Sequence, residues 1–358
     1  MEHFWDIHRA ALEDFRRMSH AAGARADYVQ GGGGNTSVKL DGGLMAIKAS
    51  GYRLGDIELN RAYAVLDLSE LLPFYTDGDP DAFPDVEQAG SARAKAAIRP
   101  VDGMEALRPS VEAGFHSLLD RFVLHTHSVY ANLATCAPDG REVVASAALE
   151  GADYGWGFVP YADPGARLTF SIRDELRRVE RETGRRPAVI FMQNHGLIVH
   201  AGEADGCLAI HADVNRRVAR AFGAEDGDFP NVTLTGGDGQ FEAQLPLLRE
   251  AFASGAMTES TLTGEPLYPD QLVFLSGAVQ LGGEPEPGMC TADPESCRLT
   301  LAMPRGKAQV VAETIACVAY IRLVLARSGR QAVGMDAAAR AFIANWESEK
   351  YRKSVAGR

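Results

Sequence analysis

The stretch Arg121-Phe122-Val123-Leu124-His125-Thr126-His127 decides how this chain is read. Phe122 to Leu124 form an apolar run that predicts a buried strand. Side chains alternate faces along a strand, so His125 and His127 share one face at its mouth. A lone buried histidine is more often a hydrogen-bonded core residue than a ligand. Two imidazoles at i,i+2 after a buried strand can grip one metal ion. The chain of 358 residues has only nine histidines, and a third follows a similar apolar run in Phe191-Met192-Gln193-Asn194-His195-Gly196. Three neutral imidazoles with one position left open describe a catalytic metal site, zinc foremost, rather than a structural one. Iron, manganese, cobalt and nickel also suit such donors.

Outward from that strand, helical and extended patterns mix. Residues 5–22, 67–75, 111–119, 129–136, 165–183 and 203–223 predict helices. Thr36–Leu40 and Leu44–Lys48 flank Asp41-Gly42-Gly43 as a β-hairpin. Residues 158–161, 187–193 and 197–200 predict further strands. Residues 76–108 read as an exposed excursion with one helical turn, and 224–240, rich in Gly and Asp, as a linker. Beyond it, helices are expected over 306–328 and 335–354. The absence of a regular βαβ rhythm points to an α/β sandwich with a largely antiparallel sheet. A division into 1–223 and a mainly helical extension, 224–358, follows.

Composition narrows the function. With 36 basic and 48 acidic residues the net charge is −12, which disfavours nucleic acid and anionic membranes as partners. An anionic small substrate stays open, because backbone N–H groups can outweigh global charge locally. Five scattered cysteines read as reduced thiols. The N-terminal stretch lacks a secretory pattern and no apolar run approaches a membrane span, so a cytoplasmic location is expected.

Two further features carry chemistry. Gly31-Gly32-Gly33-Gly34-Asn35-Thr36-Ser37 follows a helix and opens a strand, which excludes a dinucleotide fingerprint, and no Gly-Lys-Ser/Thr makes it a Walker loop. It reads either as a flexible turn or as an anion cradle of N–H groups with Asn35 and Ser37. Lys48-Ala49-Ser50-Gly51 adds a cation, a hydroxyl and another N–H, and Ser110 a further hydroxyl. Those groups converge only if the hairpin and the 111–119 helix meet. Glu112, in the first turn of that helix, is either a dipole partner or the acid/base group that a three-histidine metal site needs. His116, one turn on, is assigned to support or core packing.

Taken in order, Gly34-Asn35-Thr36-Ser37, Ser50-Gly51, Pro109-Ser110-Val111-Glu112, His125-Thr126-His127 and Asn194-His195-Gly196-Leu197-Ile198-Val199 resemble the class II aldolase/adducin family over roughly residues 5–223. Gly33–Lys39, Lys48–Gly51 and Trp346–Arg352 look closer to the aldolase half of bifunctional rhamnulose-phosphate aldolase/dehydrogenase proteins. The resemblance implies an α/β/α sandwich with a largely antiparallel central sheet and a C-terminal α-rich extension. It implies that His125, His127 and His195 bind zinc or a similar divalent ion and that Glu112 is the catalytic acid/base. It implies that Gly34, Asn35, Ser50, Gly51 and Ser110 hold a phosphate, and that Pro160-Tyr161 and Gly165 are structural. The implied reaction is reversible cleavage of a ketose, a ketose 1-phosphate in particular, to dihydroxyacetone phosphate and an aldehyde through a metal-stabilised enediolate. Decarboxylation or epimerisation of a sugar acid or sugar phosphate would use the same enolate, and an adducin-like interaction domain would use none. A homo-oligomer, a tetramer by family habit, is also implied. This chain departs from the family's sugar-phosphate aldolases in carrying Val111 where they often have a second serine, and in its long extension.

Overall fold

The computed structural model describes residues 3–345. Seven strands form the main sheet: β1 (Asn35–Leu40), β2 (Leu44–Lys48), β3 (Tyr63–Asp67), β4 (Phe122–Thr126), β5 (Gly155–Val159), β6 (Pro187–Met192) and β7 (Gly196–Ala201). Their order is β3-β2-β1-β4-β7-β6-β5. Every neighbouring pair is antiparallel except β5 and β6. The alternation of β4 explains the layering. Phe122 and Leu124 face a core completed by the helix Arg9–Gly23 and by Cys207 of the helix Ala204–Ala221. Val123 faces the opposite core, with Phe115, Leu168, Ile172 and Leu176. The result is the expected α/β/α sandwich.

Two expectations from the sequence need correction. Residues 76–108 contain a full helix, Val86–Ala96, and not a single turn. Its Glu87 carboxylate accepts hydrogen bonds from the Ala166 and Arg167 N–H groups, at 2.7 and 2.8 Å, at the start of the helix Ala166–Thr183. Gly165 leaves room for that carboxylate, which a Cβ would displace. The polar composition that reads as an excursion is therefore a capping surface. The stretch 224–240 is likewise no free linker: Ala224, Val232 and Leu234 are buried in the core, and Thr235–Gly237 is already a strand.

The C-terminal region contains the expected helices, Arg305–Arg327 and Ala337–Asn345 among them. The rest of the expected 335–354 helix, and the Trp346–Arg352 segment, lie outside the described residues. Beside the helices stands a second sheet that the sequence reading did not foresee. Its strands are β8 (Thr235–Gly237), β9 (Gln240–Gln244), β10 (Val279–Leu281), β11 (Cys290–Asp293) and β12 (Arg298–Ala302), in the order β10-β11-β12-β9-β8. By length and composition alone Arg305–Arg327 is apolar enough to cross a membrane, contrary to the expectation above, but 89% of that apolar stretch is buried inside the protein. One apolar cluster joins Val129, Leu133, Phe191 and Leu197 to Leu245, Tyr268, Leu301, Ile315 and Leu325. The two regions therefore share a core.

That sharing has a measurable consequence. Ile315→Ala removes a fully buried side chain and should cost about 2–5 kcal/mol. Urea unfolding followed by far-ultraviolet circular dichroism should show one transition shifted as a whole. Two separate transitions, with only one moved, would show that the regions do not share a core.

Candidate active site

The site forms where the C-terminal end of β4 meets the N-terminal ends of β1 and β7. Register places Asn35 opposite His125 and His125 opposite Ile198. The tight turn before β7 brings His195 to the same end; within it Asn194 adopts a positive φ of 52°. Gly196 is obligatory there, since a Cβ would strike the Thr126 carbonyl. Gly34, at φ +62°, is held the same way: a Cβ would lie 2.6 Å from the His125 carbonyl oxygen. Glycine's lack of Cβ is what allows both approaches.

His125, His127 and His195 are all buried, and a nitrogen from each lies within 4.8 Å of the others. Their ring centroids are 4.9, 5.1 and 5.1 Å apart. Hydrogen bonds fix the tautomers of two of them. His125 Nδ1 stands 3.0 Å from the Leu197 carbonyl, which can only accept, so that nitrogen carries the proton. His127 Nδ1 stands 2.5 Å from the Asp270 carboxylate and donates in the same way. Both Nε2 lone pairs then face inward, 3.1 Å apart. Burial drives His125 far below the ordinary imidazole range, and His195 below it also, against the pull of Glu112. Rings with converging lone pairs are the donor set of a bound cation.

Glu112 occupies the cap position of the helix Ala113–Leu118, one residue earlier than the first-turn placement expected from sequence. Its Oε2 accepts from Asn35 Nδ2 at 2.5 Å. Its Oε1 lies 3.2 Å from His195 Nε2 but has no partner in hydrogen-bonding geometry. Burial works to raise the carboxyl, and positive charge gathered at His125, His195 and His127, as a shared proton or a bound cation, pulls it below the usual carboxylate range. It rests as a carboxylate with one oxygen aimed at the histidines. His195 Nδ1 is a second buried polar atom without a partner among the described residues. An uncompensated carboxylate beside two inward lone pairs and the His195 ring fits a divalent ion.

Next to the histidines lies a narrow polar pocket. It is lined by Gly32, Gly34, Asn35, Lys48, Ser50, Gly51, Ser110, Val111, Glu112, Pro164, His195 and Pro269. The hairpin and the Glu112 helix do meet: the Ser50 N–H donates to the Arg108 carbonyl at 2.9 Å, and the Ser110 N–H to Lys48 at 3.2 Å. Gly34, Asn35, Ser50, Gly51 and Ser110 thus share one wall with Glu112 and His195. Lys48 Nζ donates to the Gly32 and Tyr52 carbonyls, at 3.2 and 2.7 Å, which fixes its ammonium at the pocket.

Ser37 is the exception among the expected cradle residues. It lies on the same face of β1 as Asn35 but two residues further from the pocket, and its hydroxyl bonds His116 Nδ1 at 2.7 Å. His116 Nε2 in turn donates to Asn35 Oδ1, in a short contact. The relay Ser37–His116–Asn35–Glu112 places His116 behind the pocket and orients the Asn35 amide toward Ser110 and Glu112. His200 pairs with Asp120 and His211 with Thr126, so neither reaches the site. Asp270 and Pro269 were not foreseen from sequence. A wider cleft lined by Tyr161, Asp163, Arg167 and Asp336 contains none of the histidines.

A family model described as the class II aldolase and adducin N-terminal domain matches residues 15–219. No curated protein matches the chain. Among solved structures, an N-terminal class II aldolase domain of a conserved Thermoplasma acidophilum protein is 21% identical, with a TM-score of 0.48, covering 58% of this chain and 92% of its own. A sugar-phosphate aldolase from Thermotoga maritima is 12% identical (TM-score 0.42; 60% of this chain, 94% of its own). L-fuculose-1-phosphate aldolase from Thermus thermophilus is 15% identical (TM-score 0.37; 59% and 92%).

The buried rings predict an acid response. Burial pushes both His116 and His211 down to about 3 from an ordinary 6.5. Between those values the unfolded chain binds more protons than the folded one. Each ring's contribution to stability is therefore full above pH 6.5 and is lost as pH falls toward 3, at up to about 1.4 kcal/mol per pH unit. Urea midpoints of the metal-free protein should fall from neutral to acid pH, and His211→Gln should flatten that slope. An unchanged slope would refute the assignment.

Proposed function

The chain belongs to the class II aldolase and adducin family, and we propose that it is a metal-dependent lyase. On this reading it cleaves a ketose 1-phosphate reversibly to dihydroxyacetone phosphate and an aldehyde. The supporting observation is that His195 is common to the polar pocket and the three-histidine cluster, with the pocket's Glu112 3.2 Å from its Nε2. A substrate phosphate in that pocket sets its neighbouring ketone and hydroxyl oxygens toward the imidazoles.

His125, His127 and His195 would hold the divalent ion, and zinc suits three imidazoles with an open face. When bound, such an ion supplies Lewis-acid stabilisation for negative charge on adjacent substrate oxygens. The phosphate would be held by the backbone at Gly34 and Gly51, the hydroxyls of Ser50 and Ser110, and the Lys48 ammonium. Lys48 is engaged with two carbonyls, which suits electrostatic attraction rather than Schiff-base formation. Glu112 Oε1 is the proton carrier. In the condensation direction it takes a proton from the carbon beside the ketone; in cleavage it returns one to the carbon that keeps the electron pair. Asn35, fixed by His116, holds Oε2 and leaves Oε1 free for that transfer.

A panel of ketose 1-phosphates and keto-acid phosphates tests the reading. Aldehyde release supports it; carbon dioxide release would mark a decarboxylase, and a diastereomeric sugar an epimerase. Glu112→Gln should lower kcat roughly 10²–10⁴-fold with metal content unchanged. His127→Ala should lose stoichiometric metal, and Lys48→Met should raise KM for phosphorylated substrates only. A purified protein without a stoichiometric divalent ion, together with full activity in His127→Ala, would sink the proposal.

A further inference from the structure

Four residues of the C-terminal region press on the metal-site residues of the first. Asp270, fully buried near the start of the helix Pro269–Leu275, sets its Oδ2 2.5 Å from His127 Nδ1. The space for that carboxylate exists because residue 33 is glycine, where a Cβ would collide with Asp270 Oδ2. Pro269 lines the anion pocket. Asn194, the neighbour of His195, donates through Nδ2 to the carbonyls of Leu267 and Val333, at 2.9 and 2.8 Å. The C-terminal region therefore touches two of the three histidines or their immediate neighbours, from the side opposite the inward lone pairs.

A neutral imidazole has one proton, and the nitrogen that lacks it is the one that can bind a cation. At His125 the backbone makes this choice through the Leu197 carbonyl. At His127 a carboxylate makes it. A carboxylate acceptor both fixes the tautomer and raises the electron density of the opposite nitrogen. We propose that Asp270 is a positioning residue for the metal centre, which orients His127 with Nε2 inward and strengthens it as a ligand, so that metal retention depends on the C-terminal region. The proposal rests on the metal reading above. Asp270 itself touches neither substrate nor ion; it acts through His127.

The test is metal affinity, measured on the full-length chain by competition with a chromophoric chelator, using zinc and cobalt(II). Asp270→Asn keeps the shape and removes the charge. It should weaken metal binding roughly 10–100-fold, reach the wild-type stoichiometry at saturating metal, and shift the visible spectrum of the cobalt form. Asp270→Glu, which restores a carboxylate, should recover part of the affinity. Affinity within twofold of wild type and an unshifted cobalt spectrum would overturn the proposal. A wild-type chain that binds no divalent ion would instead overturn the metal reading itself, so the two failures are distinct. A third measurement needs no variant to fold: nitrogen-15 NMR of histidine rings in the metal-free wild-type protein. The His127 proton should sit on Nδ1. A proton on Nε2 would overturn the proposal.

Discussion

Two imidazole nitrogens, His125 Nε2 and His127 Nε2, are held 3.1 Å apart with their lone pairs facing each other. Both opposite nitrogens are committed as donors, one to a carbonyl and one to a carboxylate. Each ring's Nδ1–H points away from the gap, so neither of those protons bridges it. Such an arrangement is unfavourable alone and becomes favourable when a cation accepts both lone pairs. Glu112, with one oxygen unsatisfied beside them, adds negative charge to the same point. The rest of the site is arranged so that this local frustration persists in the folded chain.

Backbone register supplies the rigidity. The strand pairings Asn35 with His125 and His125 with Ile198 leave no freedom to slide, because a one-residue slip would turn His125 to the opposite core. Close approach of the flanking turns then requires glycine at 34 and 196. Behind Glu112, the buried relay from Ser37 through His116 to Asn35 satisfies its polar atoms within itself. A fully satisfied buried network is rigid, which fixes the one unsatisfied oxygen in direction.

Much of this was legible in the sequence, for identifiable reasons. The strand period puts His125 on the Val123 face, and glycines beside polar residues mark tight approaches. The local order Pro109-Ser110-Val111-Glu112 sits beside the cradle because two short segments bridge at Ala49 and Pro109. Ser37 was misplaced by treating a glycine-rich run as a single loop: the strand begins at Asn35, and its rise carries Ser37 along the same face, past the pocket, to His116. The second sheet escaped because its strands are three to five residues long, too short for a periodicity to register, and three helices intervene between β9 and β10. Asp270 carries no local signal at all. It is one of many acidic residues beside a proline, and only the tertiary packing of a helix 143 residues away from His127 gives it meaning.

The charge balance sharpens why that distant carboxylate matters. A chain of net charge −12 does not attract anions through its overall field. It can hold one only where donors are concentrated and water is excluded, as at Lys48, Ser50, Ser110 and the neighbouring backbone. In so dry a place Glu112 and Asp270 are two further negative charges, and a phosphate would make a third within the same small volume. Asp270 is compensated by the His127 N–H, and Asn35 and the imidazoles attend Glu112. Lys48 offsets part of an added phosphate's charge, and further positive charge entering with it lowers the remaining cost. A divalent ion on the three inward nitrogens provides it. On this argument the metal and an anionic substrate are not independent ligands of the site. Each lowers the electrostatic cost of the other, and the reciprocity of linked binding makes that effect equal in both directions.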